Sequence, residues 1–78
     1  MIRIYADFNH CDEQGRVLLD TVGSLADIGE NEAALAEGMV VLLVMDEELE
    51  VEATLGFDRV WRAVPDFETL RHLDDPQP

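Results

Sequence analysis

With a single cysteine, Cys11, the chain can form no internal disulfide, and Cys11 with only two histidines cannot supply the four ligands of a closed zinc site. The fold must therefore be held by packing. A domain of 78 residues buries only about 60% of the surface its unfolded chain exposes. One core with a thin stability margin follows, and a homodimer is one way of supplying the missing burial. Lysine is absent, so five arginines stand alone against 18 aspartates and glutamates, for a net charge of −13. A polyanion meets a repulsive average field, which argues against direct nucleic-acid binding. The same charge suits solubility, adaptation to salt, or docking to a basic protein surface. The longest apolar run, Met39 to Met45, has seven residues, whereas a membrane-spanning helix needs roughly 20. No membrane partner is expected. Met1 leads straight into Ile2-Arg3-Ile4-Tyr5 without a basic, apolar and small-residue leader, which points to the cytoplasm.

Residues 2–8 alternate, with Ile2, Ile4, Ala6 and Phe8 on one face and Arg3, Tyr5 and Asp7 on the other, the period of a half-buried strand. The polar stretch Asn9 to Gly15 suits a hairpin loop into a second strand at Arg16-Val17-Leu18-Leu19, paired antiparallel with the first. Ser24, three residues before Asp27, predicts a helix start. Gly29 weakens that helix, and Asn31 offers a second N-cap before Glu32 to Glu37, so a break into two pieces is expected, with Gly38 at the end. Met39 to Met45 has no polar face and reads as the central strand. After a turn at Asp46-Glu47, Leu49, Val51, Ala53, Leu55 and Phe57 alternate with Glu48, Glu50, Glu52 and Thr54. Asp58-Arg59 then connects to a fifth strand, Val60 to Val64, which Pro65 should stop. Asp66 would cap a helical turn from Phe67 to Leu73. Val41, Leu43, Val51, Leu55 and Trp61 are the expected core. Residues 1–73 form a single domain, and 74–78 are expected to fray.

The class expected is therefore α+β, mainly β. Its architecture would be a small bent five-stranded antiparallel sheet or SH3-like barrel, with one short helix between strands 2 and 3 and a C-terminal helical turn.

Ile4-Tyr5-Ala6-Asp7-Phe8-Asn9, Gly15-Arg16-Val17-Leu18-Leu19, Leu49-Glu50-Val51-Glu52, Trp61 and Ala63-Val64-Pro65-Asp66 together resemble a family of short, acidic, uncharacterised bacterial proteins that open on a similar Tyr-Ala-Asp-Phe-Asn. The resemblance spans most of the chain. It implies a stand-alone bacterial protein and carries over no activity and no functional residue.

Catalytic and metal signatures are weak. Asp7, Asn9, Cys11, Asp12 and Glu13 invite a calcium loop, but the sixth and twelfth positions counted from Asp7 are Asp12 and Leu18 instead of glycine and glutamate. His10, Cys11 and His72 lack the spacing of a metal site or a Cys–His pair, and the acidic neighbours Asp12 and Glu13 raise a thiol pKa. No nucleophile elbow, phosphate-cradling glycine loop or acid/base pair is present, so no enzyme, catalytic residue, metal or cofactor is expected. Trp61, Tyr5 and Phe67 are either a recognition platform or core filling, with Tyr5 the better surface candidate.

The acidic ladder is the main candidate feature. Glu48, Glu50 and Glu52 lie about 7 Å apart on one strand face, preceded by Asp46 and Glu47. If Arg3, Arg16 and Arg62 pair with them, the ladder solubilises a sheet face; if not, it is a negative patch ready for a basic partner. The functional expectation is a non-enzymatic protein–protein interaction module binding a basic protein surface through Tyr5, Asp46, Glu47, Glu48, Glu50 and Glu52. The alternative is a nucleic-acid-mimicking inhibitor or immunity-type protein that blocks a basic partner.

Overall fold

The computed structural model describes residues 1–46 and 48–72. The expected tail, residues 74–78, lies outside them. Five strands form one mixed sheet curled into a half-barrel: β1 (Arg3–Tyr5), β2 (Val17–Leu18), β3 (Val40–Met45), β4 (Leu49–Asp58) and β5 (Val60–His72), in the order β1-β3-β4-β5-β2. Helix α1 (Val22–Asn31), extended by a 3₁₀ turn at Glu32–Ala34, stands between β2 and β3. The class is α+β, mainly β.

The apolar run at 39–45 takes the interior place its composition demands, with β1 on one side and β4 on the other. Val41 and Leu43 are fully buried on the concave face, where they meet Ile4, Ala6, Val17, Leu19, Ile28, Val51, Ala53, Leu55 and Ala63. The alternation along β4 therefore sets the core as expected up to Leu55. Beyond it the concave face opens: Phe57 is 53% exposed, and its ring meets Trp61 edge-on, centroids 5.2 Å apart. Trp61 is only half-buried against the core, not in it. At the open end of a half-barrel there are not enough atoms to enclose an indole.

The expected pairing of the first two strands and the expected ends of the helix are corrected. β1 and β2 do not pair; β1 runs parallel to β3 (Arg3 opposite Leu42, Tyr5 opposite Val44), and β2 runs antiparallel to β5. The loop does turn back, and Gly15 takes the left-handed φ of 81° it was suited to. The arms of that turn lie nearer its tip, however: Cys11 bridges Val17, and the Leu18 N–H donates to the His10 carbonyl. The helix starts one turn earlier than Ser24, because Thr21 Oγ1 accepts the Ser24 N–H at 3.2 Å and serves as the N-cap. It passes through exposed Gly29, ends at Ala34, and leaves Gly38 (φ 83°) to turn the chain into β3.

The expected C-terminal helical turn is strand instead, as far as His72; Leu73 lies outside the described residues. Pro65 does not stop β5, because it sits opposite Ala53 and past Ala63, where pairing with β2 ends. An edge position tolerates a residue without an N–H. Asp66 caps as expected, but it caps a bulge. Its Oδ1 accepts the Glu68 N–H at 3.1 Å, and its carbonyl accepts the Thr69 hydroxyl at 2.6 Å. Five steps along β5, from Asp66 to Arg71, then face two along β4, from Glu52 to Glu50.

Candidate functional site

The register places Arg3 and Tyr5 of β1, Leu42 and Val44 of β3, Glu50 and Glu52 of β4, and Asp66 and Arg71 of β5 in two rows on the convex face. Leu42 and Val44 are half-buried there, beneath long charged neighbours. Glu50 is the exception among the acidic residues, at 1% exposure. Its Oε2 lies 3.0 Å from Arg3 Nη1, and its Oε1 accepts from Arg71. A carboxylate this deep is tolerable because both oxygens meet a guanidinium. Glu50 is thus a clamp joining β1, β4 and β5 across Val44, and it presents nothing to a partner.

The ladder's other members fare differently. Glu48 is exposed, in the turn closed by its N–H on the Met45 carbonyl at 3.0 Å. Glu52 is half-buried and stands directly opposite Asp66, a like-charge pair that costs stability unless a cation comes between. Asp46 is exposed with φ of 53°. Glu47 lies outside the described residues. Among the described residues no arginine or histidine lies within ion-pair distance of Asp46, Glu48, Glu52 or Asp66.

Of the arginines expected to neutralise the ladder, only Arg3 does so. Arg16 and Arg62 converge instead on Asp12 Oδ2, at 2.7 and 2.8 Å, with Arg16 also 3.6 Å from Asp58. Burial on its own raises the Asp12 carboxyl. The Arg16 N–H, the Arg62 guanidinium, the Gln14 N–H and the Arg16 guanidinium outweigh it and hold the group far below the usual carboxylate range. Asp12 thus ties the loop to β5, and its engagement with two arginines opposes the calcium reading. Arg71 escaped the sequence because its segment resembled a helix; read as strand, it falls opposite Glu50.

A groove of about 440 Å³ opens at the β1 edge, lined by Arg3, Tyr5, Asp27, Val44 and Asp46. Helix α1 builds its wall by satisfying the edge strand's backbone. Asp27 Oδ2 accepts the Tyr5 N–H at 2.7 Å, and the buried Ser24 hydroxyl donates to the Tyr5 carbonyl at 2.5 Å. Tyr5 itself is half-buried, its ring against Gly23. Asp27 was not among the expected site residues. Its helical position facing an edge strand left no trace in the local sequence.

The remaining candidates are not brought together. His10 Nε2 lies 2.7 Å from Asp20 Oδ1, Cys11 is exposed, and His72 is nine positions along β5 from Ala63, the strand's contact with that region. No cluster of three or more metal-ligating side chains occurs among the described residues. Tyr5, Trp61 and exposed Phe67 sit at three separate places on the sheet. No helix among the described residues is long and apolar enough to cross a membrane.

Comparison of the chain with known protein families, with characterised proteins and with solved structures finds no match to any of them.

Proposed function

We propose that this chain is a non-enzymatic binding module that docks a basic segment of another protein on the groove of Tyr5, Asp27 and Asp46 and on the acidic residues farther along the sheet, Glu48, Glu52 and Asp66. One observation carries the proposal. Four of the five arginines, Arg3, Arg16, Arg62 and Arg71, turn onto Asp12, Glu50 and Asp58, and among the described residues Asp27, Asp46, Glu48, Glu52 and Asp66 have no cationic side chain within ion-pair distance. A partner's positive charge is the natural counterpart of the carboxylates left over. Nucleic-acid mimicry is the less supported alternative, because it needs a regular row of free carboxylates and Glu50 is missing from the middle of this one. The proposal sets the protein in the cytoplasm, where an exposed Cys11 thiol stays reduced.

The test is calorimetric titration with a short peptide rich in arginine and lysine, against a glutamate-substituted counterpart. Binding that weakens with salt, and is lost in an Asp27→Asn/Asp46→Asn/Glu52→Gln variant, is the expected result. A Glu30→Gln/Glu32→Gln/Glu37→Gln variant changes charge equally on α1 and the segment after it. If it weakens binding as much, bulk charge is responsible and the docking face is refuted.

A further inference from the structure

The environment of Tyr5 specifies the docking face more closely. A β-carbon on Gly23 would stand 2.6 Å from Tyr5 Cδ1, 3.0 Å from Cγ and 3.2 Å from Cε1. Three neighbouring ring atoms at such similar distances mean that the glycine lies over the face of the ring rather than beside its edge. Gly23 is therefore the seat of Tyr5, and any larger residue there would push the ring off. Tyr5, seated in this way on Gly23, is one of the residues lining the groove.

The groove runs along the strands. Arg3 stands at the level of Leu42, Tyr5 at Val44, and Asp46 beyond the end of β3. Asp27 is fixed at the Tyr5 level by its bond to the Tyr5 N–H. The lining brings together one aromatic ring, two carboxylates and the Arg3 guanidinium, the last already paired with Glu50. A π face flanked by carboxylates suits a planar guanidinium, which stacks and donates in two directions at once, better than an ammonium.

We infer that the Tyr5 groove receives a single arginine side chain of the partner, stacked on Tyr5 and held by Asp27 and Asp46, with Gly23 as the positioning residue. The inference rests on the proposed docking of a basic protein. The Arg3 guanidinium, drawn by Glu50 towards the Val44 level, has its charge matched there, which leaves Asp27 and Asp46 to the incoming guanidinium.

The experiment uses the ¹⁵N-labelled full chain and capped Gly-Gly-Arg-Gly-Gly, with lysine and citrulline versions as controls. The expected result is amide shifts at Tyr5, Gly23, Asp27, Val44 and Asp46 with the arginine peptide. Binding should be weaker with lysine and roughly tenfold or more weaker with citrulline, which keeps the shape and loses the charge. Gly23→Ala should abolish the shifts. Because that change can cost the fold, Tyr5→Leu is the second variant, filling the same space without a π face, and it too should remove the preference for arginine over lysine. Shifts that map to Glu52 and Asp66 instead, or an equal response to citrulline, overturn the arginine site while leaving the acidic docking face standing. No response to any cationic peptide overturns both.

Discussion

Replacing Glu50 with glutamine keeps the side chain's size and removes its charge, which isolates what the clamp contributes. Breaking a fully buried ion pair by removing one partner costs about 3–5 kcal/mol. That figure is too large here, because the Arg3 and Arg71 side chains are 57% and 69% exposed, and water takes them back once released. Two contacts remain to be counted, each nearer the value of a pair with one solvated member, so the total comes to about 1–2 kcal/mol. In a domain of this size that lowers the melting temperature by about 4–16 °C. Glu48→Gln, two residues away on the exposed turn, should change stability by less than about 0.5 kcal/mol. Thermal melts of the two variants beside wild type decide the matter, and Arg3→Gln and Arg71→Gln should each reproduce part of the Glu50 effect. A Glu50→Gln protein melting within about 2 °C of wild type would refute the clamp. The whole acidic row would then be open to a partner.

Asp12 sets the response to acid. Its pKa is depressed in the folded state, so its contribution is fully present above the unfolded value of about 3.9 and is lost as pH falls below it. The Asp12 contribution to melting temperature should therefore be constant between pH 7 and 5, and below about pH 4 melting temperature should fall more steeply in wild type than in Asp12→Asn, as pH-dependent melts would show. Leu43→Ala should cost about 2–5 kcal/mol in urea unfolding, and Trp61→Ala about 1–2, since the indole is half-buried and its main aromatic neighbour is itself exposed. Random DNA and RNA oligonucleotides should not shift with the protein in a gel at physiological salt; micromolar binding would contradict the electrostatic argument.

The parts of the fold legible in the sequence were those with a repeating local pattern. Ile4 and Ala6, and Val51, Ala53 and Leu55, lie where alternation put them, and Val41 and Leu43 are core as expected of a strand with no polar face. Gly15 takes the left-handed conformation its turn required, and so does Gly38, although the helix it was expected to end stops earlier. Pairing was not legible, because β1 and β2 are three and two residues long and nothing in so short a strand chooses between neighbours. The end of β5 was misread for a different reason. Phe67, Leu70 and Leu73 carry a helical spacing, and Asp66 and Pro65 supply helix punctuation, yet the long β4 beside them gives the backbone a ladder to join. That error hid Arg71 and, with it, the neutralisation of Glu50. Of the expected partner-binding residues, Tyr5 and Asp46 line the groove, Glu48 and Glu52 lie apart from it on the sheet, Glu50 is buried between two arginines, and Glu47 lies outside the described residues.

The sheet order also fixes a sequence of events in time. β3, β4 and β5 form a meander whose strands meet through short turns, Met45 opposite Leu49 and Asp58 opposite Val60. The two outer strands must wait for partners far along the chain: Arg3 meets Leu42, and Val17 meets Ala63. Loop closure over such lengths is slow, so the meander should assemble first and β1 should be added late, with the Ser24 and Asp27 bonds to Tyr5 closing behind it. Bonds made after the barrier govern the rate of opening, not of closing. In stopped-flow kinetics, Ser24→Ala and Asp27→Ala should steepen the loss of native protein while leaving the refolding rate nearly unchanged. Of the five strands the one earliest in the chain is then the last to be secured, and the groove it builds with α1 exists only once the rest of the sheet has formed.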